Sequence, residues 1–337
     1  GLHMSDPNVQ IERQRKLMGI LNVFFVFFFV RCLEYYVFVP KTGFNSHGVI
    51  TSALGMAIMF FYLYIVNGNL QAVGLISNYR KLFKWLGIGA VLSIVPIILV
   101  MLTEALSYVS SSTDFALSLY SFGYKKASSG NGVWLAAISI CLITSIVKVT
   151  LFESLYRGYI LVSLRKIMSF RSSNIIQSVL YTLWFLIIPL RYLIWNTQNY
   201  SGTEILKLVL FYIVFEFMAA FKWGLLTRAS GALWVALFDH IIFDFFSETI
   251  HLVINGIDQN RLLRLFLIQL VSFAMTLVYY YYRKKKRPKL FKSYGKRRKS
   301  KKGIVDNDFD DEEYEDEIEV IDYHEAMHKK NIGDRDI

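Results

Sequence analysis

The residues able to do chemistry in this chain stand where charge is costly. Glu153 and Arg157 lie one helical turn apart inside the stretch from Val149 to Gly158, which is otherwise apolar enough to cross a membrane. An ionised side chain at mid-bilayer costs about 2.5–3.5 kcal/mol on insertion scales, so such residues are rare and have a partner or a task. The i, i+4 spacing puts carboxylate and guanidinium on one helix face. A second pair at the same spacing, His240 and Asp244, sits in another apolar run. An imidazole and a carboxylate one turn apart would serve as two ligands of a metal ion. A third and a fourth are needed, and Asp239 and Glu153 are the only candidates. The simpler reading is a buried hydrogen-bonded cluster of Glu153, Arg157, His240 and Asp244 tying two helices together. Intramembrane polar contacts of this kind contribute under about 2 kcal/mol each. Neither a metal nor a cofactor is expected. Lys148 is expected to pair with Glu216, Asp244 or Glu153. Glu216 and Asp239 are expected to join helix to helix. No Gly-rich phosphate loop, CxxC pair, nucleophile elbow or HExxH motif is present.

The elements that must position these groups are helices in a bilayer. A chain of 337 residues that is 54% hydrophobic and 16% aromatic is not an ordinary soluble globule. Several apolar runs approach or exceed the roughly 20 residues that a membrane-crossing helix needs. They predict an all-α, polytopic bundle of about eight spans. The expected spans are Leu17–Val39, Val49–Val66, Trp85–Val109, Val133–Leu164, Ile175–Trp195, Gly202–Phe221, Leu233–Ile254 and Leu262–Tyr282. The first contains Arg31 and Glu34, expected to neutralise one another against other helices. The fourth is too long for one upright crossing at 1.5 Å per residue and must tilt or protrude. The longest loop, Ser110 to Gly130, is expected to carry a short surface helix around Phe115–Phe122. Cys32 and Cys141 both fall in apolar runs, so free thiols are expected and not a disulfide framework.

Net charge is +11, but the distribution excludes a nucleic-acid reading. Basic residues gather in short loops and after the last span, as on the cytoplasmic face of a membrane protein. Arg80, Lys81, Lys84, Arg165, Lys166, Arg171, Lys222 and Arg228 would share one side, with Lys41, Lys125, Lys126, Arg191, Lys207, Arg261 and Arg264 on the other. The termini decide the orientation. Arg13–Lys16 and the basic block from Arg283 to Lys302 share a side across an even number of spans, so both ends are expected in the cytoplasm. Residues 1–16 read as an expression remnant (Gly1-Leu2-His3) followed by a polar N-terminus without a signal peptide, and residues 17–282 as the membrane domain. Residues 283–337 read as a polybasic, then acidic, disordered tail. Its basic part is expected to bind anionic lipid, at about 1 kcal/mol per charge. The acidic run from Asp306 to Asp322 is too densely charged to bury a core.

Three stretches, in order, resemble the motifs of the CPBP family (CAAX proteases and bacteriocin-processing enzymes, also called Abi). The family's first motif is two glutamates, three variable residues, then Arg and commonly Gly. Phe152-Glu153-Ser154-Leu155-Tyr156-Arg157-Gly158 is similar to it, with Glu153 in the second glutamate's place. The second motif is an aromatic residue followed four positions later by His, and here Tyr181 is followed by Phe185. The third is Arg-x-x-Gly-x-Leu-Trp, then His and Asn or Asp. Arg228, Gly231, Leu233, Trp234, His240 and Asp244 fit it. The Val73-Gly74-Leu75 turn is similar as well, and the resemblance spans about Leu70 to Ser247.

In family members that cut peptides, the first glutamate and the second-motif histidine activate water, while the third-motif pair holds the oxyanion. That is general-base catalysis with preorganised electrostatics. Carried over, the water-activating positions are Phe152 and Phe185, and neither ring accepts a proton. Loss of a general base alone forfeits about 10²–10⁴ in rate. The resemblance therefore implies a CPBP-like fold without proteolysis, the two rings filling the former cavity. It implies a scaffold or regulator in the cell membrane of a Gram-positive bacterium, with a membrane-protein partner in cell-envelope metabolism, of the class of single-span peptidoglycan hydrolases. The alternatives are a diverged endopeptidase using Glu153 and His240, and a bacteriocin self-immunity protein.

Overall fold

A computed structural model of the chain describes residues 7–43, 46–65, 79–125 and 130–291. The Val73-Gly74-Leu75 turn, the basic run 296–302 and the acidic run 306–322 lie outside the described residues. Helix α1 (Pro7–Leu33) continues through a π-helical stretch, Glu34–Phe38, into a last turn, Val39–Thr42. Then follow α2 (Val49–Ile65), α3 (Tyr79–Ser110), β1 (Ala116–Ser121) and β2 (Tyr124–Lys125). Helix α4 (Asn131–Phe152) runs through a second π-helical stretch, Glu153–Ile160, and ends in Leu161–Arg165. The chain closes with α5 (Phe170–Leu190), α6 (Gly202–Ser230), α7 (Trp234–Thr249), β3 (Ile250–Val253) and α8 (Arg261–Lys286).

Local signals account for the boundaries. Ser169 caps α5 by accepting the Ser172 N–H. Ser201 and Glu204 form a reciprocal capping box at the start of α6. Gly231, at φ +77°, ends that helix in the left-handed region that favours glycine.

Five stretches are long and apolar enough to cross a membrane: Gln10–Thr42, Lys81–Ser110, Asn131–Arg165, Phe170–Leu193 and Arg261–Lys286. They mark a membrane-embedded, mostly helical protein. The other three expected spans appear as α2, α6 and α7. Helix α2 has 17 residues and α7 only 16, and Lys207, Glu216 and Lys222 interrupt the apolar character of α6.

Two expectations are corrected. The loop after α3 carries a strand where a surface helix was expected: Ala116–Ser121 alternates in the two-residue period of a strand and finds a partner on each edge. That partner comes from the expected seventh span, which leaves helical geometry after Thr249 to form β3. The sheet order is β2-β1-β3, antiparallel throughout, with Leu117 opposite Leu252 and Ser118 opposite His251. These short strands are an addition to a mostly helical bundle, as expected of an all-α protein.

The core gathers Phe24 of α1, Phe152 and Tyr156 of α4, Tyr181 and Trp184 of α5, Trp223 and Leu226 of α6, and Val235 of α7. Helix α5 lies along α6 so closely that a Cβ on Gly224 would collide with Asn174 Oδ1. Small residues permit such approaches between membrane helices. Arg31 and Glu34 both face other helices but reach different neighbours. Arg31 Nε donates to the Trp184 carbonyl at 2.9 Å, and Glu34 accepts from the Thr51 amide and hydroxyl at 3.1 and 3.2 Å.

Candidate functional site

The first-motif residues from Glu153 to Gly158 occupy the π-helical part of α4, and Phe152 is the last α-helical residue before it. From Glu153 to Ile160 every residue is buried except Tyr159. π-Helical turns inside α-helices are rare and concentrate at functional sites. Glu153 and Arg157 meet side by side, both fully buried. Arg157 Nε donates to Glu153 Oε2 at 2.7 Å, and a second guanidinium nitrogen donates to Oε1. The planar fork matches the two carboxylate oxygens, the strongest form of this pairing. The third guanidinium nitrogen reaches Gln177 Oε1 at 3.4 Å. Gln177 in turn donates to Asn174 Oδ1 and to the Ala220 carbonyl, joining α5 to α6.

His240 of α7 completes this group. Its Nδ1 lies 2.7 Å from Glu153 Oε1, and because a carboxylate oxygen only accepts, that nitrogen carries the hydrogen. The ring stacks on Trp223, centroids 3.6 Å apart and planes 15° from parallel. Trp223 Nε1 donates to Asp239 Oδ2 at 2.7 Å. Asp239 also pairs with Lys222 at 2.6 Å and accepts the Ser93 hydroxyl at 2.6 Å. Lys222 continues to Ser272 at 3.0 Å, and Ser272 donates to the Leu92 carbonyl. Two polar networks, joined by the His240–Trp223 stack, thus cross α3, α4, α5, α6, α7 and α8.

Phe152 and Phe185 meet edge to face, centroids 5.4 Å apart, a favoured arrangement for two rings. Phe152 also lies 6.3 Å from the His240 ring. Tyr181 packs 4.7 Å from Phe185, and the Arg157 guanidinium sits 4.7 Å over the Tyr181 ring. Arg31 lies 5.2 Å over Phe185 from the other side. The neighbourhood of the two phenylalanines is aromatic and filled.

The expected four-residue cluster is only partly assembled. Asp244 stands apart from Glu153 and His240: it accepts the Ser145 hydroxyl at 2.7 Å and faces Lys148 at 3.5 Å. Being one turn further along α7, it meets the stretch of α4 that precedes Phe152. Lys148 takes one of its three expected partners, Asp244 of α7. Glu216 is buried, and among the described residues it makes no hydrogen bond or ion pair. Asp239 joins helices as expected, through residues that the sequence reading missed. Lys222, an ionisable residue in an apolar run, and Asn174 with Gln177, polar residues one turn apart in another, were the available signals. Trp223, Ser93 and Ser272 carried none. Among the described residues no three His, Cys, Asp or Glu side chains converge as a metal site would require. Arg228 of the third motif is stacked 4.3 Å over Phe170 and 5.1 Å over Phe291, and donates to the Phe291 carbonyl. The turn Pro288–Phe291 after α8 is thereby folded back onto the Arg228–Gly231 corner.

Comparison with protein-family models, with characterised proteins and with solved structures returns no match for this chain.

Proposed function

We propose that this chain is a catalytically inactive relative of the CPBP intramembrane proteases. In this reading it crosses the cell membrane eight times with both termini in the cytoplasm and acts as a scaffold or regulator for another membrane protein. The observation that carries the reading is the Phe152–Phe185 contact beside His240. At the two positions where the family resemblance calls for a proton acceptor and its imidazole helper, two apolar rings pack against each other. The carboxylate that does remain, Glu153, is held on both oxygens by Arg157 and on one by His240. A carboxylate so engaged has little capacity left to draw a proton from water. The partner class follows from the resemblance: a single-span, membrane-anchored peptidoglycan hydrolase whose helix docks on the bundle and whose catalytic domain stands outside. The polybasic stretch after α8 would rest on anionic lipid.

A diverged endopeptidase is the second reading, and one observation favours it: Glu153 and His240 are in hydrogen-bond contact at 2.7 Å, as a base and its orienting group would be. Arg157 weighs against it, because its guanidinium claims the same carboxylate. The two separate experimentally. The full chain, and the chain without residues 283–337, are purified in gentle detergent and their companions identified by mass spectrometry, alongside Glu153→Gln and His240→Ala. A stoichiometric membrane partner, retained by both variants that fold, is the expected result. Peptide cleavage lost in both variants, with no stable partner, would replace the scaffold with the enzyme.

A further inference from the structure

We propose that the β2-β1-β3 sheet is itself a lipid-contacting element, with the outward face of β1 lying against acyl chains of the leaflet at that end of the bundle.

The polarity of β1 is reversed relative to a strand whose outer face meets water. Along β1, Leu117 is 64% exposed and Leu119 42%, while Ser118 and Tyr120 between them turn toward the protein. On the inward face Tyr120 lies flat on His251 of β3, centroids 3.8 Å apart. Beneath them His251 meets Asp258 at 3.0 Å, and Arg264 is gripped by both Asp258 and Glu104. The polar groups of the sheet are thus engaged inside; the two leucines of β1 are exposed, while Leu252 of β3, opposite Leu117, is covered by protein. Antiparallel sheets with one face in water show the opposite pattern, whereas strands facing lipid turn their apolar side outward.

Two further features fit hydrocarbon as the occupant. Bare backbone is not tolerated in lipid, and β1 is paired with β3 over Ala116–Leu119 and with β2 at Tyr120 and Ser121. Its outward face also adjoins an exposed apolar flank of α4. Trp134 of α4 donates its indole N–H to the Leu119 carbonyl at 2.7 Å. Beyond it Val133, Leu135, Ile140 and Ile143 are each at least half exposed on a helix long and apolar enough to span. Phe122 and Tyr124, both more than 40% exposed at the β1–β2 turn, are the residue types that gather at membrane interfaces.

The test uses the full chain reconstituted in phosphatidylglycerol–phosphatidylcholine vesicles. Nitroxide labels are placed through Leu117→Cys and Leu119→Cys in a background carrying Cys32→Ser and Cys141→Ser, with Ile143→Cys as the lipid reference and Ser111→Cys as the water reference. Collision with oxygen should exceed collision with a water-soluble nickel chelate at both strand positions, as at the lipid reference. In parallel, the unaltered chain is irradiated with a lipid bearing a photoreactive acyl chain, and peptides covering residues 116–121 should be labelled to a level comparable with residues 135–143. Nickel access matching Ser111 would place the sheet in water. Shielding from both reagents would mean that protein covers it. Either result, or absence of photolabel from the strand in the unaltered chain, overturns the proposal.

Discussion

His240 lies face to face with Trp223 at 3.6 Å, and the same indole donates its N–H to Asp239, the residue just before His240 in sequence. One side chain of α6 therefore fixes two consecutive residues of α7, one by its face and one by its edge. Trp223→Phe keeps a face and removes the donor, so a loss of about 1 kcal/mol is expected. Trp223→Ala removes both and opens a cavity, for about 3–5 kcal/mol. Thermal unfolding in detergent, followed by loss of monomer on gel filtration, should rank the native chain above Trp223→Phe and that above Trp223→Ala. Equal melting of the two variants would deny the edge contact any role.

The Glu153–Arg157 pair should be far more sensitive to halving than to removal. Glu153→Gln leaves a guanidinium buried without its counter-charge, at a cost of about 3–5 kcal/mol. Glu153→Gln combined with Arg157→Met removes the stranded charge and should recover part of that loss. The comparison needs only the three melting curves. A double variant as unstable as the sum of its parts would show that the pair's surroundings, not its charges, hold the fold.

Glu216 provides the contrast. It is buried without a hydrogen-bond or ion-pair partner among the described residues, so Glu216→Gln breaks no contact and eliminates a group that is costly in hydrocarbon if ionised. The expected melting temperature is equal to or above that of the native chain. A fall as large as that for Glu153→Gln would reveal a partner for Glu216.

Gly224→Ala should be among the most damaging small substitutions. Its new methyl would collide with Asn174 Oδ1, and overpacking typically costs about 1–3 kcal/mol. Shortening the neighbour with Asn174→Ala should restore much of the stability, at the expense of the hydrogen bond from Asn174 to the Phe221 carbonyl. If the double variant melts no higher than Gly224→Ala alone, the clash is elsewhere.

The parts legible in the sequence are those written in local pattern. Apolar runs marked the helices, and i, i+4 spacing put Glu153 beside Arg157. The placement of Phe152 opposite Phe185 came through the family resemblance, since no periodicity pairs one helix with another. The sheet was missed because two leucines alternating with polar residues over six positions also suit a short helix, and the strand that pairs with them is contiguous with an apolar helix. Asp244 was assigned to the wrong group because sequence gives the height of a residue along its own helix but not the height of the neighbour it meets. Lys148 and Ser145 stand at that height, and Glu153 does not.

The burial of the wide winding from Glu153 to Ile160 makes α4 sensitive to a kind of change that side-chain replacement never probes. Deleting one residue from the α-helical turns that lead into it, where no wide turn absorbs the loss, would swing Glu153 and Arg157 by about 100° around the helix axis. Glu153 and Arg157 would then leave the face that meets His240 and Gln177, although every amino acid that touches His240 would still be encoded. The register of this helix is thus a heritable trait in its own right, one that insertions and deletions can erase while leaving all three motifs readable.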